Sequence, residues 1–279
     1  MINNKLGKLI QIISGYQRLA IAFSGGVDSV LLLKAASLAL PADQLLAVTA
    51  RGPFFPKREL REAVDLASAF KLPHLTIEFN ALAYENVASN PHDRCYHCKK
   101  ALFQLLREQA HQRGFSTIAD GGNLDDLKDY RPGAKAIEEL GIISPLKLAG
   151  LNKEEVRRLS AELNLNTWDK AAFACLASRI PYGRYIEAAS LERIEKAEDF
   201  LLSLGFRQVR VRAHDQLASV EVEPEERSRF FNLDFMNRVN QALKSLGFIH
   251  VTLDLGGYNS GNLNSALGEN KTKEYLQEY

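Results

Sequence analysis

The sequence predicts an α/β protein in which a parallel-sheet domain precedes a smaller α+β domain. Over the first two-thirds of the chain, short β-rich runs alternate with helical patterns. Such alternation is typical of a parallel sheet covered by helices on both faces. Beyond Pro181 the pattern changes, and the runs QVRVR, ASVEV and VTLDL alternate with a period of two, as strands do. We therefore expect one domain over residues 1–184 and a second over 185–279.

Composition limits the classes of function. A length of 279 residues fits one large domain and a smaller one. The formal net charge is only +1, which disfavours nucleic acid as a partner. Lys8 and Gln11 interrupt the apolar start, so no secretory signal is expected, and no run is long and apolar enough for a membrane span. We expect a cytoplasmic protein, where three cysteines suggest metal or sulfur chemistry rather than disulfides.

The elements of the first domain can be assigned in order. Four strands are expected at the short β-rich runs Leu19–Phe23, Leu45–Thr49, His74–Ile77 and Thr117–Ala119. The helical patterns between and after them cover Val30–Leu40, Lys57–Phe70, Lys99–Arg113 and Lys153–Leu163. Sites in such sheets lie at the carboxyl ends of the strands.

The second domain contains an internal repeat. Ala189–Leu204 is predicted to be a long amphipathic helix. The letters SLGF end it at 203–206 and return at 245–248, each time before a strand. In both copies we expect glycine to end the helix and phenylalanine to be buried. The domain therefore contains two similar helix–strand units.

A glycine-rich turn, SGGVDS, follows the first strand. Its two glycines allow consecutive N–H groups to point at an anion, and the next helix adds its positive N-terminal end. The two serines can donate hydroxyl protons, and the aspartate can cap the helix or reach Mg²⁺. The alternative is a tight turn without a ligand. The candidate ATP and Mg²⁺ residues here are Ser24, Gly25, Gly26, Asp28 and Ser29.

A second candidate segment follows the strand Thr117–Ala119. Here Gly121 is followed by a run of carboxylates that includes Asp126, and Arg131 lies in the next loop. An acidic loop in solvent and a surface arginine are the alternatives. SGGVDS resembles the SGGxDS signature of the PP-loop ATP pyrophosphatases, which split ATP between the α and β phosphates. Those enzymes carry a similar A-x-G-x-N-x-D-D segment, so the resemblance assigns Gly121 and Asp126 to ATP and Mg²⁺. Arg131 is a further candidate for ATP because a guanidinium can hold a phosphate or carboxylate in a bidentate manner.

Further motifs indicate which family of PP-loop enzymes the chain resembles. They are GNLDDLKDYRPG, FACLASRIPYG, VRVRAHD, LDLGGYNSG and the SLGF pair, and together with SGGVDS they are similar to the LarE family. LarE proteins are ATP-dependent sulfur transferases of nickel-pincer nucleotide cofactor synthesis. The resemblance covers nearly the whole chain. It implies that ATP adenylates a carboxylate of pyridinium-3,5-dicarboxylate mononucleotide and that sulfur then displaces AMP, leaving a thiocarboxylate.

The resemblance also implies roles for residues after position 173. Cys175 matches the family's sulfur residue, although FACLAS is apolar enough for an ordinary buried thiol. Glu198, Arg210 and Arg212 match positions around the substrate phosphate. The two arginines lie on one side of a strand whose valines face the core. The alternative is a plain exposed strand face.

The pair Cys95 and Cys98 forms a C-x-x-C, expected in a loop before a helix. With Cys175, three thiolates could hold a 4Fe–4S cluster, as in some LarE relatives, with one iron open to carry a sulfide. Zinc completed by His92 or His97, a dithiol or persulfide relay, and a sacrificial Cys175 that gives up its own sulfur are the alternatives.

Other functions remain to be weighed against this one. A PP-loop tRNA thiolase would bind RNA, and an amidotransferase-type PP-loop enzyme would not need the three cysteines. A non-catalytic nucleotide-binding or iron-sensing protein would release no pyrophosphate. The expected partners are the pyridinium mononucleotide and sulfide or another sulfur donor, and a homo-oligomer is expected.

Overall fold

In a computed structural model, the chain is described at residues 2–127, 132–171, 174–259 and 262. It divides into two compact units. The first comprises Met1–Ala81 and Asp93–Phe173, and the second comprises Leu82–His92 and Ala174–Tyr279. The second unit thus takes a short segment from the middle of the chain. The domain boundary at residue 184 stays a prediction.

The first unit is built on the expected parallel sheet. Its strands are β1 (Leu19–Ala22), β2 (Leu45–Arg51), β3 (His74–Glu78) and β4 (Thr117–Ala119). They run in the order β3-β2-β1-β4 with every pair parallel, which confirms the predicted fold class. A parallel bridge between Ala119 and Ile143 extends the sheet beyond β4.

Helices cover both faces of this sheet because successive strand residues point to opposite sides. Leu19 and Ile21 belong to one buried cluster, whereas Ala20 belongs to the other. The first cluster includes Leu9 of an N-terminal helix, Ile2–Ser14, that was not predicted from the sequence. The helices of the unit are α1 (Ile2–Ser14), α2 (Val27–Ala39), α3 (Lys57–Ala69), α5 (Arg94–His111), α6 (Gly133–Glu139), α7 (Pro145–Leu148) and α8 (Lys153–Glu162).

The second unit contains a small mixed sheet. Strand β6 (Leu217–Val222) lies between β5 (Val209–His214), which is antiparallel to it, and β7 (His250–Leu253), which is parallel. The helices of this unit are α4 (Glu85–Ala88), α9 (Ala188–Ser203) and α10 (Leu233–Ser245).

The SLGF prediction is confirmed in both copies. Gly205 and Gly247 follow α9 and α10 with φ of +88° and +100°, a backbone region that glycine adopts without a Cβ clash. Phe206 and Phe248 are buried, with 3% and 2% of their surface exposed.

The prediction that the C-x-x-C lies in a loop is wrong. Helix α5 begins at Arg94 rather than at Lys99, so Cys95 and Cys98 lie within its first five residues. No residue between Arg94 and Lys99 is a helix breaker, because the nearest preceding proline, Pro91, lies before the start of the helix. The backbone carbonyl of Asp93 accepts the first helical bonds, from Tyr96 at 2.8 Å and His97 at 3.4 Å.

No helix in the described part of the chain combines the length and apolar character needed to cross a bilayer.

Candidate active site

The glycine-rich turn connects β1 to α2 at the carboxyl edge of the parallel sheet. Gly25 has φ of +71°, and a Cβ on it would lie 3.2 Å from the Cβ of Ala63 on α3. Gly26 is the residue before α2, and its N–H points at the Ser24 hydroxyl over 3.4 Å. The Ser24 and Ser29 hydroxyl oxygens lie 3.3 Å apart. The turn therefore gathers polar hydrogens at the positive end of a helix of 13 residues.

The segment after β4 lies against this turn. A Cβ on Gly121 would lie 3.2 Å from the backbone nitrogen of Ser29 and 3.3 Å from the Cβ of Asp28, so glycine allows the close approach. The Asn123 amide donates to the Asp28 carboxylate over 3.1 Å. The Asp126 carboxylate accepts from the Asn123 backbone N–H at 3.0 Å. The two segments predicted from sequence to bind ATP therefore meet.

Two lysines reach the turn, and the sequence analysis identified neither. Lys153, the first residue of α8, forms an ion pair with Asp28. Lys170 donates to the Gly25 carbonyl over 3.1 Å and forms an ion pair with Glu62 at 2.6 Å. The turn thus presents both signs of charge at an accessible edge, since Asp28 and Lys153 are 22% and 34% exposed. Arg131 lies outside the described residues.

The cysteine pair lies on α5, in the same unit as the turn. Cys95 and Cys98 are both half-buried, and no disulfide involves any of the three cysteines. Their spacing is one helical turn, which places the two thiols on the same face of α5. The Arg94 guanidinium lies 3.9 Å from the Cys95 sulfur. A Cβ on Gly133 of α6 would lie 3.2 Å from the Cys95 carbonyl oxygen, so that glycine permits close packing beside the pair.

Cys175 belongs to the second unit, where it precedes a 3-10 turn over Leu176–Arg179. The Cys175 carbonyl accepts from the Ser178 hydroxyl at 2.8 Å and from the Arg179 guanidinium at 3.0 Å. Arg179 also donates to the Ala174 carbonyl over 2.6 Å. These hydrogen bonds hold the backbone around the thiol, and the Cys175 side chain itself is half-buried.

Glu198 holds Arg179 from the other side. Its two carboxylate oxygens accept from the Arg179 guanidinium at 2.8 and 3.0 Å, and both side chains are fully buried. Burial alone would raise the pKa of Glu198, but the charges of Arg179 and Arg210 keep that pKa below its usual value. Glu198 thus contacts an arginine that positions Cys175, as a buried carboxylate that stays ionised.

Arg210 is more deeply buried than the sequence analysis expected. It is 3% exposed, and Val209 and Val211 beside it are buried as well, so both faces of β5 are covered. The guanidinium lies 5.0 Å from the centre of the Tyr258 ring. Desolvation, with the nearby charge of Arg179, lowers the pKa of Arg210 to about 10, so it remains a cation at neutral pH. The alternative of an exposed strand face is wrong for this residue.

Arg212 lies one step further along β5. It forms a paired contact with Glu221 on β6, both distances being 2.9 Å, and donates to the Ser178 carbonyl over 2.7 Å. Its side chain is 13% exposed. Glu198 and Arg212 are thus joined to the Cys175 turn, Glu198 through Arg179 and Arg212 through the Ser178 carbonyl. The positive charge of Arg210 helps to keep Glu198 ionised.

The described ranges contain no group of three or more His, Cys, Asp and Glu side chains arranged to hold a metal ion.

The first unit is thus an α/β fold with a glycine-rich turn between a strand and a helix N-terminus at the carboxyl edge of a parallel sheet, where α/β proteins commonly bind ligands. No protein-family model matches the chain. The pyridinium-3,5-bisthiocarboxylic acid mononucleotide synthase of Lactiplantibacillus plantarum is 39% identical over 263 residues, which cover 94% of this chain and 95% of that protein. The chain therefore belongs to this synthase family, the LarE family.

Two uncharacterized proteins are also similar over most of their lengths. One from Synechocystis sp. is 41% identical over 96% of this chain and 99% of its own length. One from Methanocaldococcus jannaschii is 30% identical over 88% of this chain and 92% of its own length.

Proposed function

We propose that this protein is an AMP-forming, ATP-dependent sulfur transferase that acts on pyridinium-3,5-dicarboxylate mononucleotide. The observation that supports this most strongly is the meeting of the SGGVDS turn with Gly121 and Asn123 at the carboxyl edge of the sheet. Membership of the LarE family supports the choice of substrate.

The turn is proposed to bind the ATP phosphates. The Gly26 N–H and the Ser24 and Ser29 hydroxyls supply neutral donors, and Lys153 supplies positive charge. Asp28 and Asp126 would hold Mg²⁺, because carboxylate oxygens are the ligands that this hard cation prefers. Asp28 fits that role since it is partly exposed and its present partners, a lysine and an amide, can exchange. Bound Mg²⁺ would neutralise phosphate charge.

The chemistry proceeds by activation and displacement. A carboxylate oxygen of the substrate attacks the α-phosphorus of ATP, and the bond to the β-phosphate oxygen breaks, releasing pyrophosphate. The acyl adenylate that remains has a good leaving group, which a free carboxylate lacks. A sulfur nucleophile then attacks the carbonyl carbon, and AMP leaves with the former carboxylate oxygen. The product is a thiocarboxylate, and a second round would convert the second carboxylate.

The second unit is proposed to bind the substrate phosphate. The Arg212 side chain is 13% exposed, and Arg210 adds positive charge from a buried position. Arginine suits this task because its planar fork matches phosphate oxygens. Arg179 and Glu198 would fix the backbone that carries Cys175.

The sulfur is proposed to come from a 4Fe–4S cluster held by Cys95, Cys98 and Cys175. Thiolates are the standard ligands of such a group, and two of the three cysteines lie one helical turn apart on α5, although no group of three such side chains in the described ranges is arranged to hold a metal ion. When bound, a cluster with three protein ligands supplies an iron that can carry a sulfide. The alternative is that Cys175 is sacrificed and gives up its own sulfur.

A cytoplasmic location and a homo-oligomeric state also remain predictions within this proposal.

Anaerobic turnover tests this function. Protein reconstituted with iron and sulfide should release pyrophosphate and AMP only when the pyridinium mononucleotide is present, and mass spectrometry should detect the thiocarboxylate. Absence of substrate-dependent pyrophosphate release would contradict the proposal.

The source of sulfur requires a separate measurement. Protein mass after reaction should be unchanged if a cluster supplies the sulfur, and Cys175 should lose one sulfur if it is sacrificed. Cys95→Ser should abolish iron and labile sulfide binding, which assays of both elements report without turnover. If Cys95→Ser retains full turnover while Cys175 loses sulfur, the sacrificial route replaces the cluster route.

A further inference from the structure

Lys170 occupies an unusual position beneath the glycine-rich turn. Its ammonium donates to the backbone carbonyl of Gly25 over 3.1 Å, across 145 residues of sequence. The same ammonium lies 2.6 Å from a Glu62 carboxylate oxygen on α3. The lysine side chain is only 16% exposed, whereas that of Glu62 is 50% exposed. A lysine ammonium is rarely this buried unless specific partners hold it there.

The backbone around Lys170 is itself held by α8. The Arg157 guanidinium donates to the carbonyl of Trp168 over 2.7 Å and to that of Lys170 over 2.8 Å. Arg157 lies one helical turn after Lys153, the residue paired with Asp28. One face of α8 therefore reaches the turn directly through Lys153 and indirectly through Arg157 and Lys170.

The contact with Gly25 has a geometrical consequence. The carbonyl of Gly25 and the N–H of Gly26 belong to one planar peptide group, in which they point in opposite directions. Glycine has no Cβ to restrict rotation of that peptide, so a turn with two glycines can adopt several orientations. Lys170 holds the carbonyl on the buried side, and the Gly26 N–H then faces the exposed Ser24 hydroxyl.

We propose that Lys170 is a positioning residue that orients the Gly25–Gly26 peptide so that its N–H can bind an ATP phosphate. This deepens the proposed function and rests on it. Since the oriented N–H contacts the phosphate both before and during reaction, it contributes uniform binding, which affects KM for ATP rather than kcat. A purely structural lysine would instead lower stability and leave the KM for ATP unchanged.

Lys170→Met tests the proposal. We expect its KM for ATP, and its Kd for a non-hydrolysable ATP analogue with Mg²⁺, to rise about tenfold, the loss typical of a charge-assisted hydrogen bond. We expect kcat and the KM for the pyridinium mononucleotide to stay within about twofold of wild type, as loss of uniform ATP binding alone requires. Lys170→Arg keeps a donor and a charge and should recover most of the affinity.

Two controls make the test specific. Glu62→Gln removes the ion pair but leaves the lysine its carbonyl acceptor, so its loss should be smaller than that of Lys170→Met. Lys147→Met removes an exposed lysine of α7 and should change nothing. Equal losses in Glu62→Gln and Lys170→Met, or wild-type nucleotide affinity in a folded Lys170→Met, would overturn the proposal. Failure of wild-type protein to bind the analogue would instead overturn the proposed function itself.

Discussion

The candidate site residues of the two units hold their charges in opposite ways. At the glycine-rich turn, the ion pair between Asp28 and Lys153 is partly exposed, and each partner can reach water. Near Cys175, the ion pair between Arg179 and Glu198 is completely buried. The first arrangement can exchange a protein partner for a ligand at little cost, whereas the second cannot without leaving a charge in the protein interior.

This difference separates residues suited to bind a ligand from residues suited to hold other side chains in place. Accessible, exchangeable charges suit the phosphate and cation sites of a nucleotide. A buried carboxylate that accepts from Arg179 and from the Val211 backbone N–H at 3.1 Å suits a rigid support. We therefore expect substitutions at the turn to reduce activity while preserving the fold, and substitutions in the buried cluster to reduce stability first.

The largest effect on stability is expected for Glu198→Gln. It leaves the buried Arg179, and Arg210 beside it, without the carboxylate charge, and breaking a buried ion pair costs about 3–5 kcal/mol. Urea unfolding followed by circular dichroism measures this loss. Glu162→Gln is the control, because it removes an exposed pair with Arg158 and should leave the midpoint unchanged. Wild-type stability in Glu198→Gln would contradict the contrast between the units.

Asp28→Asn should reduce activity while leaving stability nearly unchanged. The substitution removes a proposed ligand for Mg²⁺ and the ion-pair partner of Lys153. We expect kcat/KM for ATP to fall about 100-fold, as it does when a key electrostatic group is removed. The free energy of unfolding should change by less than about 1 kcal/mol because the pair is partly exposed. Asp43→Asn, at an exposed position in a 3-10 turn, should have wild-type kinetics.

Arg212→Lys is expected to have an intermediate effect. A lysine cannot reproduce both contacts with Glu221 together with the one to Ser178. We expect a loss of about 1–2 kcal/mol in unfolding free energy and a KM for the pyridinium mononucleotide about tenfold higher. Steady-state kinetics with each substrate varied separates these effects. Arg184→Lys, whose pair with Asp215 is mostly exposed, should alter neither quantity.

The smallest expected effect is a pH dependence of stability that arises from His74, next to the strand end that precedes the glycine-rich turn. The Thr49 hydroxyl donates to the Phe23 carbonyl at 2.7 Å and lies 2.8 Å from the His74 ring nitrogen. Burial lowers the pKa of His74 below its usual 6.5, so the unfolded chain binds this proton more readily. The stability that His74 contributes is present above pH 6.5 and is lost as pH falls through the folded-state pKa.

Urea midpoints measured across this pH range test that assignment. The wild-type midpoint should fall as the solution is acidified below pH 6.5, and His74→Gln should show a flatter profile in the same interval. Identical slopes in the two proteins would show that other groups carry the pH dependence.

The strands of the first unit could be predicted because each is a short β-rich run bounded by turn residues, although β3 is only partly buried. Helix starts were harder to place. Helix α5 begins before its apolar pattern does, on the polar residues around Cys95, and periodicity cannot detect such a turn. Helix α1 was not predicted either, although its Leu9 and Ile13 are fully buried.

The candidate site could be predicted only where its residues are contiguous. SGGVDS is recognisable as a single run of letters, and its neighbour at Gly121–Asp126 follows a strand end. Lys153 and Lys170 reach the turn across 125 and 145 residues, and no local pattern marks either. The pairing of Arg179 with Glu198 likewise depends on how a 3-10 turn packs on α9, which the sequence does not reveal.

The central claim, that AMP is attached to the substrate carboxylate before sulfur displaces it, has a direct isotopic test. The pyridinium mononucleotide is labelled with oxygen-18 in both carboxylates and incubated anaerobically with ATP and the reconstituted protein. The account predicts that each AMP carries one labelled oxygen, because the C–O bond to the adenylate breaks when sulfur attacks. Unlabelled AMP accompanied by thiocarboxylate formation would contradict it.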